Sequence, residues 1–253
     1  MNENIIRLKE MLQDSDNIVF FGGAGVSTES GIPDFRSAGG LYNESYKFPP
    51  ETILSYSFFM DFTAEFYRFY KEKMLYPDAK PNNAHNALVE LEKQGKLKAV
   101  ITQNVDGLHT QAGSVNVLEL HGSALRNLCM SCKKCYPIDK ILKSRDIPLC
   151  SCGGVIKPDV VLYEEGLDPV VMTKATSAIN DADMLIVGGT SLNVYPAAGL
   201  INYYRGNRLV LINKSETPYD RYADLIIRES IGDTLGSAVD NNSRDNDRNT
   251  VMQ

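Results

Sequence analysis

The chain has 253 residues, 43% of them hydrophobic, and a formal net charge of −6; this length accommodates one sizeable α/β domain and a small second module. The acidic balance and the lack of a basic run argue against nucleic-acid binding, and no apolar run reaches the roughly twenty residues of a membrane-spanning helix. Because the N-terminal sequence MNENIIRLKEML also lacks the basic and apolar segments of a signal peptide, we expect a cytoplasmic protein without a membrane or nucleic-acid partner.

Short apolar runs that alternate with amphipathic segments predict alternating strands and helices. In chain order, the predicted helix 3–14 precedes the strand 17–21, and the helix 81–94 precedes the strand 97–102. The later predicted strands are 117–121, 155–163, 183–188, 208–213 and 223–227, with helices at 168–179 and 196–204. Because this alternation is typical of α/β folds, we predict a doubly wound, Rossmann-like parallel sheet with its ligand beyond the carboxyl ends of the strands.

Two segments interrupt this alternation and predict a smaller lobe. Residues 38–81 are rich in Phe and Tyr without a strand pattern, so we predict a helical insertion whose rings either form a core or line a substrate cleft. Residues 127–154 contain all five cysteines and predict a zinc ribbon. The predicted organisation is a small domain of 38–81 and 127–154, a nucleotide-binding domain of 1–37, 82–126 and 155–240, and a disordered tail at 241–253.

The cysteines form a CxxC pair, Cys129 and Cys132, which overlaps a second pair ending at Cys135, and a CxC pair, Cys150 and Cys152. Two thiolate pairs at this separation suit a closed, tetrahedral structural zinc site that stabilises a lobe too short to fold alone. Such clustering in a chain expected to be cytosolic favours metal over disulfides. One cysteine is surplus to four ligands, and a redox CxxC stays an alternative, although no thioredoxin-like context precedes it.

Polar residues follow several of the predicted strands. Strand 17–21 enters the turn Gly22-Gly23-Ala24-Gly25, which is typical of a nucleotide phosphate site, but Thr28 stands where the dinucleotide fingerprint has its third glycine. The other polar clusters are Gln103-Asn104-Val105-Asp106, His121-Gly122, Gly189-Thr190-Ser191 and Asn213. Their amides, hydroxyls and carboxylate are groups that bind the ribose and phosphate oxygens of a nucleotide.

Three histidines are candidates for a general base. His85 lies in the first turn of a predicted helix, where it is expected to cap or pack. His109 follows a turn, and a structural role is favoured there too. His121 ends a predicted buried strand beside a glycine, where a lone histidine is more often a satisfied core residue. The nearby Gly-rich turn and the cluster that includes Asn104 strengthen the alternative that it acts as a base.

Taken together, the segments FFGGAGVSTESGIPDFR, TQNVDGLH, LHG, the cysteine region with GGVIKPDVVLYEE, and GTSLNVYPA resemble those of the sirtuins, the NAD-dependent protein lysine deacylases. They occur in the family's order over about residues 15–235, and the chain is similar to the compact sirtuins of bacteria and archaea. The resemblance implies NAD as co-substrate, one structural zinc ion and an acetylated protein or peptide substrate. It also implies group transfer rather than hydride transfer, with free lysine, nicotinamide and O-acetyl-ADP-ribose as products.

The resemblance further implies roles for individual residues. His121 would be the general base, Asn104 would orient the cofactor for reaction, and the segment from Val160 to Tyr163 would pair with the substrate peptide as an added strand. The implied NAD-contacting residues are Gly23, Ala24, Gly25, Thr28, Phe35, Arg36, Gln103, Asn104, Val105, Asp106, Thr190, Ser191, Asn213 and Ile231, the last in a loop over the adenine. The implied zinc ligands are Cys129, Cys132, Cys150 and Cys152, with Cys135 in reserve.

Four positions depart from the family pattern. Gly22 replaces a threonine before Gly-Ala-Gly, a CxC pair replaces a second CxxC, and Tyr163-Glu164-Glu165 stands where the family has Phe-Gly-Glu. Tyr70 occupies the place of the arginine that binds the acyl carboxylate in desuccinylating and demalonylating members, and Arg68 would point elsewhere. Because burying a carboxylate without a cation is costly, we predict a deacetylase that disfavours succinyl and malonyl groups.

Two other functions stay open at this point: a mono-ADP-ribosyltransferase, and a non-catalytic module that binds NAD or ADP-ribose. The presence of His121 favours deacylation over the first, and the intact polar strand ends count against the second. The sequence leaves the oligomeric state open, and we expect a monomer.

Overall fold

Nine strands are found in the structure, a computed structural model that describes residues 2–35, 40–41 and 46–239. In chain order they are β1 Ile18–Gly22, β2 Leu97–Thr102, β3 Val117–Glu119, β4 Gly122–Cys129, β5 Cys135–Pro137, β6 Ile156–Val160, β7 Met184–Gly188, β8 Leu209–Ile212 and β9 Leu225–Ile227. Six of them form a parallel sheet in the order β3-β2-β1-β7-β8-β9, and the other three form a small antiparallel sheet in the order β5-β4-β6. The predicted α/β class with a separate small lobe is confirmed.

The α-helices of the described residues lie on both faces of the parallel sheet and in the small lobe. They are α1 Glu3–Gln13, α2 Pro50–Ile53, α3 Tyr56–Asp61, α4 Thr63–Lys73, α5 Asn83–Lys93, α6 Leu108–Ala112, α7 Ile138–Leu142, α8 Pro169–Asp181 and α9 Ile231–Val239. Helices α1, α5 and α9 pack on one face through Leu8, Leu88 and Leu235, and α8 packs on the other through Ile179. Strands buried on both faces explain why β1 and β7 read as continuous apolar runs.

The strand order places a topological switch point at β1. Its neighbours β2 and β7 lie on opposite sides, and the register pairs Gly22 with both Thr102 and Gly188. The three strands therefore end at the same level of the sheet. In doubly wound sheets, ligands bind in the crevice at this kind of point, so the polar residues that follow β1, β2 and β7 converge on one edge.

The small lobe combines the three-stranded sheet with α2, α3 and α4. The predicted strand 155–163 was wrongly assigned to the parallel sheet, because β6 pairs antiparallel with β4, with Gly122 opposite Val160 and Cys129 opposite Ile156. The aromatic residues of the insertion are mainly core: Phe59, Phe66, Tyr67 and Tyr70 are each at most 1% exposed. Their burial favours a role in the core of the small lobe over a role in lining an open substrate cleft.

Three further predictions about elements need correction. Strand β3 ends at Glu119, so His121 lies in the turn before β4 and not at a strand end. The predicted helix 196–204 is a 3₁₀ helix over Ala197–Tyr203. Ile231 is not in a loop; it is the first residue of α9 and is only 4% exposed. The predicted tail 241–253 lies outside the described residues.

Within the described residues, no helix combines the length and the apolar character needed to cross a lipid bilayer.

Candidate active site

The Gly-rich turn after β1 lies directly against the turn after β7. The N–H of Gly25 donates to the carbonyl of Gly189 at 2.8 Å, and the N–H of Gly23 donates to that of Gly188 at 3.3 Å. A Cβ at Gly25 would lie 2.7 Å from the Cα of Gly189, and one at Gly23 would lie 2.8 Å from the Cβ of Thr190. Side chains at these two positions would separate the turns, so the glycines keep two backbone segments together beside a polar crevice.

Gly22, whose presence the sequence did not explain, has a packing reason. A Cβ there would lie 2.6 Å from Cε1 of Phe20 and 3.1 Å from Cγ2 of Val26. The ring of Phe20 is fully buried and also lies 6.0 Å, centroid to centroid, from the ring of His109. Glycine at position 22 thus leaves room for a buried phenylalanine beneath the turn.

Gln103 joins the end of β2 to both turns. Its N–H donates to the carbonyl of Gly22 at 3.0 Å, and its side-chain amide donates to Oγ1 of Thr190 at 3.0 Å. The hydroxyl of Thr190 also accepts from the N–H of Leu192 at 3.3 Å. The predicted residues Gln103 and Thr190 are therefore brought together across the switch point.

A buried hydrogen-bonded group links Asn104, Asp106 and Ser27, a residue that the sequence did not single out. Ser27 is 1% exposed. Its hydroxyl donates to Oδ2 of Asp106 at 2.6 Å and accepts from Nδ2 of Asn104 at 3.1 Å. Oδ1 of Asp106 accepts from the N–H of Leu108 at 2.9 Å. Both side chains are thus held in one orientation. In the sequence, the only feature that could have pointed to Ser27 is its position as the first polar residue after the glycines.

His121 lies in the turn between β3 and β4, close to the end of β2. Its Nδ1 lies 2.9 Å from the backbone carbonyl of Gln103. A carbonyl only accepts hydrogen bonds, so Nδ1 bears the proton of the neutral ring and Nε2 keeps its lone pair. Burial lowers the pKa of His121 below its ordinary value, and the hydrogen bond to Gln103 partly offsets this. The ring is therefore a neutral base at physiological pH.

The other predicted cofactor residues differ in where they lie. Phe35 and Val105 pack against the hydrophobic cluster of the small lobe that includes Val160. Thr28 is exposed, and its hydroxyl donates to the Gly25 carbonyl at 3.0 Å. The remaining residues of the predicted set, Ala24, Ser191 and Asn213, are half-buried in the turns after β1, β7 and β8. Arg36 lies outside the described residues.

Ile231 packs at the carboxyl end of β7 rather than in an open loop. A Cβ added to Gly188 would overlap the Cδ1 atom of Ile231, so the glycine at the strand end makes room for this side chain. The N-terminus of α9 is in turn fixed to the Gly-rich segment: the carboxylate of Glu29 accepts from the N–H of Gly232 at 2.7 Å.

Four cysteines of the small lobe form a group suited to a metal ion. The Sγ atoms of Cys129, Cys132, Cys150 and Cys152 all lie within 4.8 Å of one another. The pairs Cys129–Cys152 and Cys132–Cys150 are 3.5 and 3.6 Å apart, close to the roughly 3.8 Å between sulfurs that a tetrahedral site with Zn–S bonds of about 2.3 Å requires. Cys135 lies in β5 opposite Leu128, outside this group. The CxC pair therefore takes the place of a second CxxC.

The environment of Cys150 also suits a metal ligand. The backbone N–H of Cys152, and next the hydroxyl of Tyr136 at 3.0 Å from Sγ, lower the pKa of the Cys150 thiol to about 5. Thiolates are the form that binds metal. The four sulfurs thus form a site for one structural zinc ion, as the sequence predicted.

Comparison with known proteins agrees with this geometry. The model of the Sir2 family matches residues 23–196, which include the Gly-rich turn, His121 and the four clustered cysteines. The chain belongs to the Sir2 family. This membership confirms the resemblance that the sequence motifs indicated.

Curated Sir2 relatives match this chain over nearly its whole length. A protein of Clostridium perfringens (strain 13 / Type A) named NAD-dependent protein deacetylase is 61% identical over 95% of this chain and 100% of its own. A protein of the same name from Clostridium acetobutylicum is 57% identical over 94% of this chain and 98% of its own.

Solved Sir2 structures share the fold. One holds a deacetylated p53 peptide and 3′-O-acetyl-ADP-ribose; it is 38% identical, covers 94% of this chain and 98% of its own, and has a TM-score of 0.86. Another holds a p53 peptide and NAD⁺; it is 38% identical, covers 96% of this chain and 100% of its own, and has a TM-score of 0.84.

Two of the three histidines of this Sir2 protein form a buried pair beneath the active site. The rings of His85 and His109 are 4.7 Å apart, centroid to centroid, and both are at most 2% exposed. Nδ1 of His85 accepts from the N–H of Asn82 at 3.2 Å, which closes a capping box at the start of α5. The structural roles expected for these two histidines are thus consistent with their positions.

Acid is expected to destabilise this protein through the histidine pair. Burial lowers the pKa of both rings, that of His109 to about 3 with a further contribution from His85. The unfolded chain, with an imidazole pKa of about 6.5, binds more protons, so the stabilisation is complete above pH 6.5 and disappears as the pH falls towards 3. For His109 alone this amounts to about 2 kcal/mol between pH 7 and pH 5.

Urea unfolding of the wild type and of His109→Gln at both pH values measures this effect. The wild type should lose more of its free energy of unfolding than the variant does. Equal losses in the two proteins would contradict the assignment.

Proposed function

We propose that the chain is an NAD-dependent protein lysine deacetylase that uses His121 as its general base. The observation that supports this most is the convergence of His121, Asn104 and Asp106 on the Gly-rich crevice at the switch point. The names of the Clostridium relatives and the ligands of the Sir2 structures agree with it.

NAD would bind in the crevice between the turns after β1 and β7. The turn Gly23-Ala24-Gly25 and the residues Thr190 and Ser191 would receive the phosphates and the adenine-side ribose, with Asn213 and Ile231 further along the same edge. On the other side, Asn104 and Asp106 would hold the nicotinamide ribose and carboxamide. The fixed Ser27–Asp106 contact of 2.6 Å gives these groups one orientation before the ligand binds.

The chain's own residues carry out orientation and proton transfer. When bound, NAD supplies a ribose C1′ that accepts the acetyl oxygen as nicotinamide leaves. His121 takes the proton of a ribose hydroxyl at Nε2, and Nδ1 remains bonded to Gln103, which keeps the ring orientation fixed. The hydroxyl oxygen then attacks the former acetyl carbon. The bond from this carbon to the lysine nitrogen breaks as the nitrogen takes a proton, and a water molecule adds to the carbon, so that free lysine leaves and the acetyl group ends as an ester on ADP-ribose.

The acetylated peptide would bind beside β6. This strand is at the edge of the small sheet, where an extended peptide can add as a further strand. The chain then continues from Val160 to Tyr163, and the N–H of Val161 donates to the carbonyl of His121 at 3.0 Å. We call residues 160–163 the peptide-binding edge. A backbone hydrogen bond thus connects this edge to His121, the proposed base.

A panel of acyl-lysine peptides tests this function. Acetyl peptide with NAD should release nicotinamide, whereas succinyl and malonyl peptides should react at least about 100-fold more slowly, because a buried, unpaired carboxylate costs several kcal/mol. Tyr70 is fully buried, Arg68 is exposed, and the Lys71 ammonium is bound to Ser144 and to the Asp146 carbonyl. No reaction with acetyl peptide, or label from biotin-NAD on protein, would refute the proposal.

A further inference from the structure

Glu164 adopts a backbone conformation that favours glycine. It follows the segment proposed to pair with the peptide, and its φ is +76°. Few side chains other than those of Asn and Asp are found in this left-handed region, because Cβ crowds the backbone. The family pattern has glycine at this position, so the glutamate is retained here against a local conformational cost.

The carboxylate of Glu164 is bound on both oxygens by a single residue of the helical insertion. Oε2 accepts from the N–H of Ser57 at 2.9 Å, and Oε1 accepts from its hydroxyl, also at 2.9 Å. Ser57 lies in the first turn of α3. Hydrogen bonds to a charged acceptor are stronger than neutral ones, so this two-point contact can hold the unfavourable backbone conformation.

Backbone bonds beside this contact extend the connection. The N–H of Tyr163 donates to the carbonyl of Leu54, and the N–H of Tyr56 donates to the carbonyl of Tyr163, both at 3.0 Å. Four hydrogen bonds therefore join residues 163–164 to residues 54–57. The turn between the peptide-binding edge and the rest of the chain is fixed to the helical insertion rather than left free.

Glu165 stabilises the same turn through hydrogen bonds to residues that precede it. Its Oε2 accepts from the N–H of Leu162 and from Nζ of Lys157, each at 2.8 Å. With Val161 bonded to His121, the N–H groups of 161–163 all have partners within the protein. This segment would therefore pair with a peptide through its carbonyl oxygens, each of which can accept a second hydrogen bond. The Glu164 side chain points to Ser57, so it is engaged away from any peptide that pairs with the backbone here.

We propose that Glu164, through Ser57, is a positioning residue that holds the peptide-binding edge in its binding shape before substrate arrives. This inference rests on the proposed function. A glycine would reach the same φ without strain but would also sample many others, and ordering it on binding would cost affinity. The two-point contact with Ser57 replaces that freedom with a single conformation, so Glu164 affects the binding of peptide and not that of NAD.

Steady-state kinetics of the full chain test the proposal, with the acetyl peptide and NAD varied separately. Glu164→Ala should raise the KM for peptide about tenfold while the KM for NAD and the thermal midpoint stay close to wild type. Glu164→Gln is the matched control. Its amide oxygen accepts from the Ser57 N–H and its amide nitrogen donates to the Ser57 hydroxyl, so the KM for peptide should rise only about twofold.

Ser57→Ala supplies an independent variant should Glu164→Ala fold poorly. It removes one of the two bonds and should raise the KM for peptide about threefold, and the double variant should not exceed Glu164→Ala alone. A Glu164→Gln variant as impaired as Glu164→Ala would show that charge acts directly, and an unchanged KM for peptide would show that the contact is idle. Either result overturns the proposal while the wild type still deacetylates, whereas an inactive wild type refutes the proposed function instead.

Discussion

Replacing His121 by alanine is expected to lower kcat for deacetylation by about 10²–10⁴-fold, the usual contribution of a positioned general base. The reason is the ring's fixed tautomer: Nδ1 is bonded to the Gln103 carbonyl at 2.9 Å, which leaves Nε2 as the proton acceptor. NAD binding, measured by calorimetry, should change by no more than about threefold, because the crevice turns do not depend on this side chain. A variant with the wild-type kcat would show that another group takes the proton.

The pH profile gives a second view of the same residue. A base acts in its neutral form, and burial holds the pKa of His121 below the ordinary imidazole value. The acidic limb of kcat/KM should therefore fall at a pH below about 6.5. An acidic limb above that value would contradict the assignment of His121, since burial lowers the pKa of this ring and the Gln103 contact offsets only part of that effect.

Removing zinc is expected to unfold the small lobe and abolish activity. Structural zinc contributes about 10–16 kcal/mol of apparent binding energy in zinc-finger peptides, as much as the whole stability of a typical domain. In this chain the metal group joins β4, through Cys129, to the segment before β6, through Cys150 and Cys152. The peptide-binding edge after β6 would lose its support with the metal.

Cys132→Ala and Cys135→Ala form a matched pair for this prediction. Both residues are exposed, but only Cys132 belongs to the four-sulfur group. Elemental analysis should find about one zinc per chain in Cys135→Ala and much less in Cys132→Ala, which should also become sensitive to protease. Full zinc in Cys132→Ala, or loss of zinc in Cys135→Ala, would contradict the ligand set.

Local patterns in the sequence were sufficient for much of the parallel sheet. The apolar runs that become β1 and β7 are continuous because both faces are covered, and this periodicity is visible without a structure. The assignment of β6 failed for the same reason. Its apolar run looks like that of a parallel strand. Its antiparallel pairing with β4 depends on the turn at Gly122 and on the cysteine group, and both bring together residues that are distant in the sequence.

The active site was predictable where a residue's position along a strand decides its role. Gln103 and Asn104 follow β2 directly and therefore had to lie at the edge of the sheet. Ser27 could not be found in this way, because its importance comes from Asp106, which is distant in the sequence and 2.6 Å away in space. The need for glycine at position 22 comes from the orientation of the Phe20 ring, a packing detail that the sequence does not reveal.

The central claim is that this protein consumes NAD when it transfers an acetyl group from lysine to ADP-ribose. Product stoichiometry in a single reaction, by mass spectrometry, tests it most directly. The account predicts one nicotinamide and one O-acetyl-ADP-ribose for each lysine deacetylated by the wild type, with free lysine and O-acetyl-ADP-ribose both formed about 10²–10⁴-fold more slowly in His121→Ala. Free acetate in place of O-acetyl-ADP-ribose, or nicotinamide released without deacetylation, would contradict it.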